Sequence, residues 1–219
     1  MTTRMILCSS YRGISQETNR AINECVRRGW ASYTQTGSAD VALARCIALT
    51  AILDKVPDDP SHVVLMVDDD MVFTPQQADA LCEIAIATVR PVSGIYSTAD
   101  GRIAAMQLIP ADGNSSDQLY VTGLGFLAIP APHLHLLAAQ SERTWHAGKT
   151  LVAFTWSAPA DSEERARYKN FGMWISEDYR LVSRLGGARL AKIGIGHQKT
   201  VPLYPDEETI ERFGQESTY

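Results

Sequence analysis

The strongest constraint on the fold is an apolar run, Val63 to Val67, that stops at three consecutive aspartates, Asp68, Asp69 and Asp70. A continuous apolar run of this length, rich in β-branched valine, is typical of a strand that is buried on both faces, as in a parallel sheet covered by helices. The following residues 74–77, Thr-Pro-Gln-Gln, predict a helix start, with an N-cap, a proline at the first helical position and a reciprocating glutamine. The three acids are therefore expected in the loop between a central strand and a helix.

The first half of the chain alternates strands with helices, and this order predicts an α/β fold with a mainly parallel sheet. In the first half, the pattern predicts strands at 5–9 and 30–34 and helices at 16–28, 41–53 and 75–89. Shorter and more antiparallel segments are expected after Pro91: strands at 92–96, 103–108, 120–130, 151–154 and 189–195, helices at 133–139 and 177–185, and a polar loop at 157–167.

Composition narrows the class of protein. A chain of 219 residues with 45% hydrophobic content can bury one core, so a single domain is expected, with halves of about 1–100 and 101–204 and a C-terminal arm at 205–219. The formal net charge of −5 disfavours a broad nucleic-acid surface.

The sequence has no apolar stretch of the roughly 20 residues that would span a bilayer, and no signal peptide is expected at its start, so a cytoplasmic location is expected. The four cysteines form no C-x-x-C pair, which disfavours a zinc or redox motif.

Three adjacent acids at a strand end are costly, because like charges raise one another's pKa unless a cation or hydrogen-bond donors compensate. A divalent cation such as Mn²⁺ or Mg²⁺ would explain them, since both ions prefer oxygen ligands and share their shell with substrate phosphates and water. A solvated acidic turn is the simpler alternative, and the sequence alone leaves both open.

Residues 64–75, Val-Leu-Met-Val-Asp-Asp-Asp-Met-Val-Phe-Thr-Pro, resemble the DxD segment of GT-A glycosyltransferases. Four other segments also resemble that family, and they occur along the chain in the family's order. They are Ala44-Arg45, similar to a helix whose arginine lies near the nucleotide; residues 121–129, similar to a glycine-containing strand beside the sugar and acceptor; Ile175-Ser176-Glu177-Asp178, similar to a late Glu-Asp motif; and Gly196-His197, similar to a metal-binding histidine. The resemblance covers about residues 4–200, and Ser176 departs from it where a glycine often stands.

The resemblance implies a GT-A-like, Rossmann-type mixed sheet flanked by helices, in a single domain whose first half binds a nucleotide sugar and whose second half binds the acceptor. It implies Asp70 as a direct ligand of Mn²⁺ or Mg²⁺, Asp68 directed toward the ribose or the metal, and His197 as a further metal ligand. Donor binding is expected from the end of the first strand, where open α/β sheets bind ligands, and from the second helix and the acids: Ser9, Ser10, Tyr11, Arg12, Arg45, Asp68 and Asp69.

The implied reaction transfers a sugar from a nucleoside-diphosphate sugar, expected to be a UDP sugar, to a hydroxyl acceptor. Asp178, or less favourably Glu177, would be the base that takes the acceptor proton in an inverting displacement. The acceptor class stays open among small molecules, glycans, proteins and, least favoured, a hydroxymethylated DNA base, for which the available cations would be Arg165, Arg167, Lys169 and Arg180.

Each of these residues also has a purely structural interpretation. Glu177 and Asp178 could cap a helix, His197 could be an ordinary loop histidine, and Arg45 could pair with an acid on its own helix. Trp156 and Trp174 bracket a polar segment that is expected to be either a lid or a loop with core anchors. Two rival functions remain open: a haloacid-dehalogenase-like phosphatase that uses Asp68 and Asp70, and a non-catalytic module that binds a nucleotide sugar.

Overall fold

The protein is a mixed α/β structure built on one six-stranded sheet flanked by helices. The computed structural model describes residues 3–10, 13–38, 40–98, 101–109, 118–167, 174–198, 202–203 and 207–213. The expected α/β class is therefore confirmed. Within these residues, no helix is long and apolar enough to cross a membrane.

Five helices lie close to their predicted positions: α1 (Gln16–Arg27), α2 (Val41–Leu53), α3 (Pro75–Thr88), α4 (Ala131–Ala139) and α6 (Glu177–Arg184). The described residues also contain α5 (Ser162–Arg167), within the segment predicted as a polar loop, and α7 (Glu207–Phe213), within the predicted C-terminal arm. The predicted start of α3 is confirmed in detail: Thr74 accepts a hydrogen bond from the Gln77 backbone, while the Gln77 side chain accepts one from the Thr74 backbone. Of the predicted C-terminal arm, the described part is α7, which packs against the strand Arg189–Gly194.

The strands fall into one large sheet and several small ones. They are β1 (Arg4–Ser10), β2 (Ala31–Thr36), β3 (Val63–Asp68), β4 (Met71–Val72), β5 (Val92–Ile95), β6 (Ala105–Gln107), β7 (Tyr120–Thr122), β8 (Phe126–Pro130), β9 (Arg143–His146), β10 (Lys149–Val152), β11 (Ala158–Pro159), β12 (Trp174–Ile175), β13 (Arg189–Gly194), β14 (Gly196–Gln198) and β15 (Pro202–Leu203).

The six-stranded sheet has the order β13-β5-β8-β3-β1-β2. Strands β2, β1 and β3 are parallel neighbours, as predicted for the first half of the chain. Strand β8 runs against both β3 and β5, and β13 is parallel to β5. One reversed strand among five parallel ones makes the sheet mixed.

The core lies on both faces of this sheet, because side chains alternate along each strand. Val64 and Met66 of β3 belong to an apolar cluster with residues of α2, α4 and α6. Leu65 and Val67 belong to a second cluster with residues of α1 and α3. The continuous apolar run is thus explained by a central strand that is covered by helices on both sides.

Three sequence-based predictions are wrong in detail. The single strand expected at 120–130 is two strands, β7 and β8, because the chain bends at Gly123 to Gly125 around the ring of Tyr96. The strand expected at 151–154 lies at Lys149–Val152 and pairs with β9 in a hairpin. The polar loop at 157–167 contains β11 and α5 instead of being irregular throughout.

The strand that precedes His197 does not lie beside the strand that carries the acids. Strand β13 pairs with β5, and both β5 and β8 separate it from β3. A small sheet of β15, β14 and β4 brings His197 back instead, since His197 pairs with Met71 immediately after the aspartates. Two-residue strands such as β4 have no usable period, so the sequence did not reveal this sheet.

Gln77 provides a test of how α3 is fixed to the sheet. Its side-chain amide accepts from the Thr74 backbone at 2.7 Å and donates to the Gly194 carbonyl at 2.7 Å. We expect Gln77→Ala to lower the free energy of unfolding by about 1–3 kcal/mol, since two hydrogen bonds are lost. Urea denaturation measures the change. The exposed neighbour Gln76 is the control, and an equal loss in Gln76→Ala would contradict this role.

Candidate functional site

A cavity of about 630 Å³ opens at the carboxyl ends of β1 and β3. Its wall includes Ser9 and Ser10 at the end of β1, the segment before α1, the first turns of α2, the Asp loop (Asp68, Asp69 and Asp70) and Glu177 at the start of α6. His197 on β14 completes this wall. This edge of an open α/β sheet is where ligands bind in such folds, and the volume suits a small organic ligand.

Most of the predicted site residues meet here. Ser9, Ser10, Arg45, Asp68, Asp69, Asp70, Glu177 and His197 all line the cavity. Asp178 joins them through a direct contact with Arg45. Tyr11 and Arg12 lie outside the described residues. Residues that are more than 100 positions apart in sequence thus converge on one cavity.

Arg45 is the centre of the electrostatic arrangement. Its guanidinium contacts Asp178, Glu177 at 3.0 Å and Asp68 at 3.1 Å, and the residue is only 3% exposed. The acids that face it come from β3 and α6 and not from its own helix, so the interpretation of Arg45 as a helix-surface pair is wrong. We name this group of four residues the Arg45 cluster.

The Arg45 cluster shifts the ionisation of its members. Burial raises the pKa of Asp178 to about 7, against the attraction of Arg45 and with the help of the negative charges of Asp68 and Glu177. Burial acts in the same direction on Glu177, but the Ser157 hydroxyl and Arg45 outweigh it and lower the pKa of Glu177. Burial would lower the pKa of Arg45, yet the three carboxylates raise it, so the guanidinium stays charged.

Asp70 and His197 form the part of the site that suits a metal ion. His197 donates from Nδ1 to the Ser97 carbonyl at 2.8 Å, which leaves Nε2 facing the Asp70 carboxylate at 3.1 Å. A neutral imidazole nitrogen and a carboxylate oxygen are both acceptors, so their approach requires a proton or a cation between them. A carbonyl that fixes the imidazole in this way is typical of metal-binding histidines.

The charge of the cavity also suits a cation. Four carboxylates of the described residues line it, Asp68, Asp69, Asp70 and Glu177, against the single guanidinium of Arg45. In the described part of the chain, no three His, Cys, Asp or Glu side chains converge closely enough to hold a metal by themselves. Asp70 and His197 could therefore supply at most two ligands, an arrangement that would suit ions whose remaining shell comes from phosphates and water. Asp68, which was expected to turn toward the ribose or the metal, pairs with Arg45.

Asp69 connects the Asp loop to the end of β1. Its carboxylate accepts a hydrogen bond from the Ser10 hydroxyl at 2.6 Å, and its carbonyl accepts one from the Ser15 backbone at 2.8 Å. Ser10 in turn accepts from the Gly13 backbone at 2.8 Å. Burial raises the pKa of Asp69, although the Ser10 hydroxyl opposes it. Asp69 therefore shapes the wall of the cavity by fixing the segment that leads into α1.

Ser176, and not the acids, caps α6. Its hydroxyl accepts from the Tyr179 backbone, whereas Glu177 and Asp178 follow in the first turn and face Arg45. Glu177 is also anchored by the Ser157 hydroxyl at 2.7 Å. Ser176, which departs from the pattern that the sequence resembles, is thus the helix cap, while both carboxylates contact Arg45 and Glu177 also lines the cavity.

Sequence reasoning missed Tyr96, which lies behind the cavity. The Tyr96 hydroxyl accepts from the Gly125 backbone at 2.9 Å, and its ring packs edge-on against His197. Gly123 and Gly125 leave room for this ring, since a Cβ on Gly123 would overlap the Tyr96 hydroxyl. In the sequence, the pair of glycines was the signal that could have indicated a large side chain packed against this segment. The glycine segment therefore supports the site from behind.

The segment between the two tryptophans is anchored to α6. Arg180 is 1% exposed, pairs with Glu164 at 2.8 Å, and donates to the carbonyls of Trp156 and Pro159. This burial makes Arg180 unsuitable as a contact for DNA. Arg165 is exposed, whereas Lys169 and the side chain of Arg167 lie outside the described residues. The Trp156 ring packs against the guanidinium groups of Arg180 and Arg184, while Trp174 is 65% exposed.

Comparison with known proteins adds evidence on the fold only. No protein-family model matches the chain, and no curated protein matches it. Among solved structures, the crystal structure of A197 from STIV matches with a TM-score of 0.53 and 14% sequence identity, over 94% of this chain and 92% of that chain. The likeness extends over nearly the whole of both chains, so it concerns the complete α/β fold.

Gly123→Ala tests the close packing behind the cavity. The new methyl group would overlap the Tyr96 hydroxyl, which the Gly125 backbone holds in place. We expect a loss of about 1–3 kcal/mol in the free energy of unfolding. Combining it with Tyr96→Phe removes the overlapping oxygen, so the double variant should lose less than the sum of the two single variants. Additive losses in denaturation measurements would contradict the contact.

Proposed function

We propose that the protein is a metal-dependent glycosyltransferase that uses a nucleoside-diphosphate sugar as donor, with the GT-A-like organisation that the sequence resembles. The observation that carries the proposal is the meeting of Asp70 and His197, 127 positions apart in sequence, at 3.1 Å on the wall of the cavity. The hydrogen bond from His197 Nδ1 to the Ser97 carbonyl, which orients Nε2 toward Asp70, and the excess of carboxylates around it support a cation at this point.

The donor half of the site is supplied by the first half of the chain together with His197. Asp70, together with His197, would hold Mn²⁺ or Mg²⁺ beside the diphosphate. When bound, the cation supplies Lewis-acid stabilisation of the negative charge on the departing diphosphate. Ser9, Ser10 and Ser15 offer hydroxyl groups along the β1 side of the cavity, where the nucleoside would lie. A uridine diphosphate sugar is the donor that the family resemblance favours.

The acceptor half uses the start of α6. Asp178, in its first turn, takes the proton of the acceptor hydroxyl while that oxygen attacks the anomeric carbon, and the diphosphate departs on the opposite side of the sugar. A base with a pKa of about 7 is suited to this work near neutral pH. Glu177, which Ser157 and Arg45 hold as a carboxylate, assists electrostatically. This arrangement gives inversion at the anomeric carbon.

The phosphatase alternative is less well supported. An aspartyl nucleophile needs a carboxylate that can reach a phosphorus atom, and the best placed candidate at the end of β3 is Asp68. Asp68 is instead paired with Arg45 at 3.1 Å. The non-catalytic alternative differs from the proposal in the role of Asp178, because a binding module would not need this residue as a base.

Removal of the two metal ligands tests the donor site. Asp70→Ala and His197→Ala should each abolish the rise in melting temperature that UDP gives with Mn²⁺, because a ligand stabilises the folded state only while it binds. Differential scanning fluorimetry with UDP, GDP and ADP, each with and without Mn²⁺, measures this effect. Matched controls are Asp58→Ala and His146→Ala, both at exposed positions. A Mn²⁺-dependent shift that persists in both site variants would contradict the metal site.

Asp178→Asn tests the base. We expect kcat to fall by about 10²–10⁴-fold while UDP binding is unchanged, since the side chain acts on the acceptor proton. In the wild type, activity should rise with pH and level off above about pH 7, because the base works only when it is deprotonated. Transfer from a panel of UDP sugars to simple glycosides, followed over pH 5–9, measures both. Unchanged turnover in the variant would remove Asp178 from the mechanism.

A further inference from the structure

The surroundings of Arg45 in this site differ from those of an arginine that binds a phosphate. Nearly all of its side chain is buried, at 4% exposure, and its two terminal nitrogens are engaged by Asp68 on one side and by Glu177 and Asp178 on the other. The planar guanidinium holds its N–H donors in a fixed geometry that spans a wider distance than the compact ammonium group of lysine, so it can reach carboxylates on two sides at once. Both terminal nitrogens of the guanidinium are thus already committed to protein groups.

The two sides of this arrangement belong to different parts of the chain. Asp68 ends the central strand β3, whereas Glu177 and Asp178 begin α6, more than 100 residues later. Asp178 faces Arg45 from α2, Asp68 from β3, the neighbouring Glu177 and Tyr179, and Tyr96 at the end of β5. Among these groups Arg45 alone is a cation, so it provides the attraction that fixes the Asp178 carboxylate.

We propose that Arg45 is the positioning residue for the Asp178 base: it holds the start of α6 against the strand that carries the Asp loop, and so places the base beside the donor. This inference rests on the proposed function, since a base is needed only if a transfer reaction occurs. Arg45 acts through Asp178 and makes no contact with the acceptor.

A positioning role predicts that substitutions of Arg45 change kcat more than the KM for the donor. Arg45→Lys keeps the positive charge but loses the fork, so kcat should fall, on the order of 10²-fold for a displacement near 1 Å, with little change in the KM for the donor. Arg45→Met also removes the charge. Its activity should then level off about one to three pH units higher than in the wild type, because an opposite charge nearby lowers the pKa of a carboxyl by that amount.

The experiment compares pH profiles of kcat and kcat/KM for the wild type, Arg45→Lys and Arg45→Met, with UDP-glucose and the other UDP sugars of the panel as donors. Arg28→Met is the matched control, since Arg28 pairs with Glu24 and Asp79 away from the cavity. If Arg45→Met fails to fold, Arg45→Lys carries the test through its kcat. A rise in donor KM with unchanged kcat would overturn the inference, because it would make Arg45 a direct contact of the diphosphate.

A second measurement separates this inference from the proposed function. The carboxyl carbon of Asp178 can be titrated by ¹³C NMR in the free protein, with Asp178→Asn to assign its signal. A higher midpoint in Arg45→Met supports the contact even if no donor is turned over, and an unchanged midpoint overturns it. Failure of the wild type to bind any nucleotide with Mn²⁺ would instead remove the proposed function.

Discussion

The interaction on which the site depends is the ion cluster of Arg45 with Asp68, Glu177 and Asp178. A buried guanidinium without partners would be strongly unfavourable, and so would three carboxylates gathered without a cation. Each side is tolerable only because the other is present. The contact therefore couples α2, the end of β3 and the start of α6, and it fixes the relative position of two segments that are far apart in sequence.

The rest of the cavity follows from the same edge of the sheet. Strands β1 and β3 are parallel neighbours, so their carboxyl ends bring Ser9 and Ser10 next to the Asp loop. Asp69 is hydrogen-bonded to Ser10 and shapes the wall, while Asp70 turns toward His197. The three adjacent aspartates therefore have three different partners: Arg45 for Asp68, Ser10 for Asp69, and His197 for Asp70. Their mutual repulsion is reduced because each carboxylate meets a separate group.

The division of charge in the cavity agrees with a two-part reaction site. The Asp70 and His197 side holds excess negative charge that a divalent cation and its diphosphate can balance. The Asp178 side has its own cation in Arg45, and burial keeps its pKa near neutrality. In the proposed transfer, placing the two sides on different elements would allow one to bind the donor while the other receives a proton. Tyr96 fills the space behind the site, and the glycines at positions 123 and 125 leave room for its ring.

Much of the local structure follows from the sequence alone: the strand β3, the capping box of α3 and the class of the fold are predicted by period, capping and composition. The sequence also marked the candidate site residues, since acids at the end of a buried strand and a late Glu-Asp pair stand out locally. It did not determine how these residues meet. The reversed strand β8, the two-residue strand β4 that pairs with β14, and the partners of Arg45 depend on contacts between distant segments. Such contacts leave no periodic signal, because they arise only when the sheet brings those segments together.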